Sequence, residues 1–516
     1  MLSELSLREK ILQTAVIKID PKRFNSEKVG GAFFFGEIIT DADTTSLDNA
    51  RKVIKRYDDN ADIPLLVTSD FENGCGSMLK GLTPFSYLMN LGAANDDKLA
   101  YDYGRATAYE ARSVGANWSL SPVCDLNINP RNPLINVRGI SDDPELAIRL
   151  LSQVIKGMQD GGIGACAKHF PGDGVDWRDQ HIVTTNNSLP FEEWKKLSGK
   201  VFEELIKQGV MSIMTGHISL SDYQQIKTAE GYNLPATLSY ELTTKLLKGE
   251  MCFDGVVVSD ALNMGGCAGY YSSKEQMEIE SFKAGTDMML WPTENYVKNM
   301  EDAINNGYIS MERLDDAVSR ILNMKEKLGL FDKKPLFEPL TEKAQQYIID
   351  TQHKVAEASV TKVRDIRNIL PVKDNVKKIM VIPITNYDPA LEEARTLCRE
   401  LEARGFEVTY NDVLPFDLKF ADEHDLIICA AFSRPFRPIG FLDFHSKEAW
   451  KIAESNLFNK DKTVVVSFGS PYFGSQYFER IGTYVNAYSM LTPSVKAFVK
   501  ALCGDTEFGS FSPVKL

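Results

Sequence analysis

The chain is poor in the residues and patterns that mark several large function classes. It has six histidines in 516 residues, and the residues that look catalytic include no H-x-x-x-H or H-x-H pair, which argues against a metal centre. Eight cysteines (75, 124, 166, 252, 267, 398, 429 and 503) are scattered, several inside apolar runs, without C-x-x-C or zinc spacing, so they read as reduced core thiols. No G-x-G-x-x-G follows a strand-like run, and the lone Gly-Ser after TVVVSF (463–468) is too little to bind phosphate, so no organic cofactor is expected. No window approaches 18 unbroken apolar residues, and MLSELSLREKILQTAVIKID (1–20) carries charges where a signal peptide needs an apolar core, so a cytoplasmic protein without a membrane partner is expected. Positive charge is also short: 58 Lys and Arg against 71 Asp and Glu leave −13, which disfavours nucleic acid and suits a neutral substrate.

What is present is an ordinary globular composition, 43% hydrophobic and 25% charged, in a chain too long for one core. Over the first 330 residues, short β-branched or apolar runs alternate with amphipathic stretches of helical period. Eight candidate strands can be picked out: 12–19, 31–35, 64–70, 117–123, 164–170, 210–217, 255–261 and 286–291. Several end in, or just before, a residue suited to a site: Asp70, Asp125, His169, His217, Asp260 and Trp291. Chemistry gathered at strand C-termini predicts an α/β fold of the (β/α)8, TIM-like barrel type; the competing architecture is a doubly wound open sheet. The predicted barrel domain covers 1–332. A linker over 333–375 contains a helix-like stretch at 353–365. A second α/β pattern, predicted as a smaller Rossmann-like sandwich over 376–516, has strands near 378–384, 406–410, 425–432, 463–470 and 484–490.

The densest chemistry is KHFPGDGVDWRDQH (168–181), a small apolar run turning into Gly, Pro and Asp where a barrel strand would open on its mouth. Asp179 and His181 stand two apart, so a carboxylate can hold an imidazole in one tautomer while the free nitrogen handles a proton. A bare D-x-H is more often a solvated loop pair, and the surrounding residues decide.

KHFPGDG, four residues and then D-x-H resemble the signature of glycoside hydrolase family 3, in the branch that contains the β-N-acetylglucosaminidases. The family's β-glucosidases share the KH…GDG beginning but take their catalytic acid from a carboxylate of the second domain. The resemblance implies His181 as general acid/base, Asp179 as its orienting partner, and Lys168 and His169 as ligands of sugar hydroxyls. FDGVVVSDALNMGG (253–266) resembles the segment whose Asp attacks the sugar, which makes Asp260 the implied nucleophile; taken alone, Asp260 reads equally as a helix N-cap. Asp70 in DFENG and Arg138 in NVRGISDDP resemble two further hydroxyl ligands, and His217 in MTGH resembles a strand end near the pocket floor. For each of these three, a structural salt bridge or a satisfied core polar residue is the alternative. The chain departs from the branch at Met78, where many relatives carry an Arg; either Lys80 replaces it or the subsite is shaped differently.

The resulting expectation is a retaining exo-β-glycosidase that releases terminal N-acetyl-β-glucosamine from a small carbohydrate or glycopeptide by double displacement. β-Glucosidase and phosphorylase activities are the alternatives within the fold. An inactive sugar-binding homologue is the non-enzyme alternative, although such a protein would be expected to have lost the nucleophile or the dyad.

Overall fold

The structure is a computed structural model that describes residues 2–20, 27–35, 47–332, 335–433, 444 and 446–516. Strands β1 (Ala15–Lys18), β2 (Gly31–Phe33), β3 (Leu66–Ser69) and β4 (Trp118–Ser119) pair in parallel in that order. After β5 (Cys166–Phe170), a two-stranded ribbon is made by β6 (Thr185–Asn187) and β8 (Ile218–Leu220). Between them in the chain, β7 (Ser212–Thr215) joins β5 on one side and β9 (Val256–Ser259) on the other, again in parallel. β10 (Met289–Leu290) pairs with β1. Parallel bridges Trp118 to Gly164 and Val258 to Met288 connect the two arcs, so the sheet closes on itself. An open doubly wound sheet would leave two edges here, and closure rules it out.

Alternating side chains explain the closed wall. Inward residues Val16, Phe33, Leu66, Trp118, Cys166, Met214, Val256 and Val258 form one fully buried cluster inside the barrel. Helices cover the outside, and their starts are fixed by local chemistry. Asp143 accepts the Glu145 amide at 2.9 Å and precedes Pro144 at the first turn of the helix Pro144–Asp160, a cap whose loss costs about 1 kcal/mol. The candidate strand at 117–123 shrinks to Trp118–Ser119 because Pro122, within the run, has no amide to donate to a ladder.

The second sheet has the order β11 (Thr361–Asp365), β16 (Thr483–Asn486), β15 (Thr463–Ser467), β14 (Leu426–Phe432), β12 (Lys378–Thr385), β13 (Glu407–Tyr410). β11 alone runs antiparallel, at one edge. The stretch 353–365 is therefore not one helix: the helix Glu342–Ser359 ends, Val360 extends, and the β-branched run that follows joins the second sheet. No helix among the described residues is long and apolar enough to cross a membrane.

Candidate active site

The barrel mouth holds a cavity of about 410 Å³ at the C-terminal ends of the strands, lined by Asp70, Glu72, Arg138, Lys168, His169, His181 and Asp260 and walled on its apolar side by Phe35, Met214, Leu290 and Trp291. It is built from the ends of β3, β5 and β9 together with the loops that follow them, as expected of a (β/α)8 site.

Four charged groups form one buried network. Lys168, 3% exposed, donates to Asp70 at 2.8 Å and meets Glu72 at 2.7 Å. Arg138 grips Glu72 through two parallel bonds, Nε to Oε2 and Nη2 to Oε1, both 2.8 Å, the planar fork geometry that lysine cannot offer. Burial pulls against every charge here. It would raise the Glu72 carboxyl, yet Arg138 and Lys168 hold that group far below the usual carboxylate range. Burial also raises the Asp70 carboxyl; Lys168 opposes the rise, and Glu72 adds to it. Rigid donors and acceptors at known positions are what a neutral polyol needs for orientation.

His169 Nδ1 donates to Asp125 Oδ2 at 2.7 Å, and Asp125 also accepts the amides of His169 and Asp173, so the imidazole edge facing the cavity is Nε2. His181 is held in the same way: Nδ1 donates to Asp179 Oδ1 at 2.7 Å, and its own amide reaches that oxygen at 2.8 Å. Asp179 is 1% exposed in its side chain while His181 is 34% exposed, so the carboxylate is fixed and the ring faces the cavity. Burial lowers the His181 pKa, but the hydrogen bond to Asp179 and the charges of Asp179 and Asp260 outweigh it and raise it overall. The dyad thereby favours the protonated ring more than an isolated imidazole would.

Asp260 follows β9. Burial would raise its carboxyl; His169, His217, His181 and the Ala261 amide, which donates to Oδ1 at 2.7 Å, bring it below its ordinary value. The loop after Asp260 touches the dyad loop directly. Gly265 donates to the His181 carbonyl at 2.8 Å, and Thr184 donates to the Gly266 carbonyl at 2.6 Å. A Cβ at Gly265 would lie 2.2 Å from the Ile182 carbonyl oxygen and one at Gly266 2.3 Å from that of Gln180, so only glycine lets the two loops meet. NMGG thus fixes His181 beside Asp260.

Two expectations are corrected. His217 does not line the cavity: it is fully buried, with Nδ1 3.0 Å from Thr237 Oγ1 and Nε2 3.0 Å from the Ala261 carbonyl, so neither nitrogen is left for a sugar. Its Nε2 donates to the residue after Asp260, which makes it a support for the loop that follows Asp260, and burial lowers its pKa. Lys80 is exposed and Met78 packs against the barrel's apolar cluster, and among the described residues neither lines the cavity. Asp70, Arg138, Lys168, His169, His181 and Asp260 do come together, with Asp179 behind His181. Glu72 was not singled out from sequence, although its place two residues after Asp70 in DFENG was the available signal. Asp125 was noted only as a strand end, since its partner lies 44 positions away.

The pattern of the glycosyl hydrolase family 3 N-terminal domain matches residues 6–324. A "Beta-N-acetylglucosaminidase/beta-glucosidase" of Cellulomonas fimi is 29% identical over 500 residues, 91% of this chain and 87% of that protein. A "Beta-hexosaminidase A" of Pseudoalteromonas piscicida is 28% identical, over 79% of this chain and 71% of that protein. Among solved structures, the beta-glucoside phosphorylase BglX bound to 2FGlc superposes with a TM-score of 0.89 at 28% identity, covering 100% of this chain and 95% of that one.

Proposed function

Since the chain belongs to glycosyl hydrolase family 3 and is a glycosidase, we propose that it is a retaining exo-β-glycosidase releasing terminal N-acetyl-β-glucosamine, with Asp260 as nucleophile and His181, held by Asp179, as acid/base. The observation that carries the reading is the meeting of the two loops: a carboxylate and an imidazole oriented by Asp179, locked together by Gly265 and Gly266, face one cavity.

In the first step Asp260 attacks the anomeric carbon as the glycosidic bond breaks, and His181 Nε2 gives its proton to the departing oxygen. In the second, the now neutral His181 takes a proton from the acceptor, which attacks the anomeric carbon and releases Asp260. Configuration is retained. Lys168, His169, Asp70 and Arg138 orient the sugar hydroxyls. The cytoplasm is the proposed location, supported by eight cysteines that remain free thiols.

Phosphate is the second acceptor to consider, because the similar fold of a beta-glucoside phosphorylase coincides here with an acid/base that is neutral when it must act as base. An anionic base would repel phosphate by roughly 4 kcal/mol at about 4 Å with an effective dielectric near 20, and a neutral imidazole does not. The deciding experiment is a panel of 4-nitrophenyl β-glycosides assayed with and without inorganic phosphate, with trapping by a 2-fluoro glycoside. Greater kcat/KM for the N-acetyl-β-glucosaminide and label on the peptide containing VVVSDALNM are expected. Preference for the glucoside would overturn the sugar assignment, and label on Asp70 or Asp125 would overturn the nucleophile.

A further inference from the structure

We infer that the second domain is a working part of the sugar site: it holds Arg138 in place through the turn Asn136–Arg138, so that Ser470 and Asn136 are positioning residues. The inference rests on the reading of Arg138 as a sugar ligand.

The turn sends three consecutive side chains in different directions. Arg138 points into the cavity and onto Glu72. Val137 is buried in a cluster shared with Tyr472, Tyr488 and Val514 of the second domain. Asn136 donates from Nδ2 to Ser470 Oγ at 3.2 Å, across the domain boundary. Asn136 also holds φ at +36°, a left-handed conformation that asparagine tolerates better than other non-glycine residues and that gives the turn its course. From the barrel side the restraint is Asn127, which donates to the Asn136 carbonyl at 2.8 Å. From the other side it is Ser470, itself fixed by its amide to Ser433 Oγ at 2.9 Å and by its carbonyl, which accepts from Ser467 at 2.7 Å.

The same loop is tied again a few residues on. Ser141 donates to the Pro513 carbonyl at 2.6 Å, and the Lys515 amide donates to Asp142 at 2.9 Å. The segment 136–142 therefore leaves the cavity wall and is grasped by two separate stretches of the second domain. Among the described residues lining the cavity none comes from that domain, so its contribution to the sugar site runs through Arg138.

Ser470→Ala is expected to raise KM for the preferred 4-nitrophenyl glycoside by about 2- to 10-fold, the worth of one neutral hydrogen bond, with kcat nearly unchanged. Ser470→Thr, which keeps the hydroxyl, should restore KM, and Asn136→Gly, which accepts the positive φ but drops the bond, should reproduce the defect. In an Arg138→Met background Ser470→Ala should add nothing further. A fall in thermal midpoint with KM unchanged would make the contact merely structural and overturn the inference, as would a full additional KM effect on top of Arg138→Met. If Arg138→Met itself left kcat/KM unchanged, the assignment of Arg138 as a sugar ligand would fail, and this inference with it.

Discussion

The two ends of the barrel each bury a lysine, and they treat it in opposite ways. At the mouth Lys168 meets two carboxylates, and its pKa is raised because Asp70 and Glu72 outweigh the cost of burial. At the floor Lys325, on the helix Met311–Lys327 that caps the barrel's N-terminal end, is fully buried and donates to one neutral partner, Gln13 Oε1, at 2.7 Å. With burial unopposed, its pKa falls to about 7. The barrel wall is the same parallel sheet at both ends, and the difference lies in what the loops bring. The mouth brings two carboxylates from the loop after β3, and Arg138 from the loop after β4, to Lys168 in β5 and leaves space beside them; around the floor lysine, apolar residues Ile321, Met324 and Leu328 fill the barrel end. A buried charge by itself is therefore no mark of a site. A buried charge network that borders a cavity is a much stronger one.

The largest effect is expected from removing Asp260, the proposed nucleophile. Asp260→Ala should lower turnover by on the order of 10⁴-fold or more, since no glycosyl-enzyme can form. Lys325→Met, the same kind of charge removal at the floor, should leave kcat/KM as it was. Steady-state assays of both variants on one substrate decide it, and a floor variant as inactive as Asp260→Ala would break the distinction.

Next in size is Lys168→Met. It strips the cation from Asp70 and leaves Glu72 with Arg138 alone, so both sugar orientation and stability suffer. Loss of a charged hydrogen bond is worth about 1.5–3 kcal/mol, or roughly 10- to 100-fold in kcat/KM, and breaking a buried pair about 3–5 kcal/mol of folding stability. Urea denaturation and kinetics on the same preparation test both. An active, fully stable Lys168→Met would show that the mouth network is not needed for either.

How much of this was legible in the sequence follows from the range of the interactions. The barrel strands were readable because each is a short β-branched or apolar run, and the dyad was readable because Asp179 and His181 are neighbours in the chain. β11 was missed because TKV follows the helical EAS without a Gly or Pro to mark the change. His217 was placed in the site because it ends a strand, yet the partners that satisfy its ring, Thr237 and Ala261, are 20 and 44 residues away. Glu72 and Asp125 are defined by partners that the fold alone brings near. Local pattern reported which residues sit at the mouth, and only packing decides which of them face the cavity.

A subtler test addresses how Asp179 tunes the imidazole at the mouth. Asp179→Asn removes the negative charge that raises the His181 pKa and leaves only a neutral amide oxygen to accept from Nδ1, so that value should fall. With an alkyl glycoside, whose poor leaving group needs the proton, the alkaline limb of kcat should then move to lower pH. The loss of rate near neutrality should be smaller than the roughly 10²- to 10⁴-fold expected of His181→Ala. A pH–rate profile with an unmoved alkaline limb would mean that another group supplies the proton.

The last test belongs to the floor and concerns stability alone. Lys325 has a folded-state pKa of about 7 against an ordinary ammonium value of 10.5, so between those limits the unfolded chain binds more protons than the folded one. Stability must then rise with pH across that window and stop changing, as far as this group is concerned, below about 7. No charged group contributes to the shift, which is due to burial alone. Lys325→Met removes the titration. It also leaves the Gln13 carbonyl without its donor, at a cost of about 1–3 kcal/mol that does not depend on pH. The difference in unfolding free energy between the natural chain and the variant should therefore grow in favour of the natural chain from pH 7 to pH 10 and stay level from pH 6 to pH 7. Urea titrations of both proteins at those pH values read it directly, and a difference that stays level throughout would show that Lys325 remains protonated in its buried place.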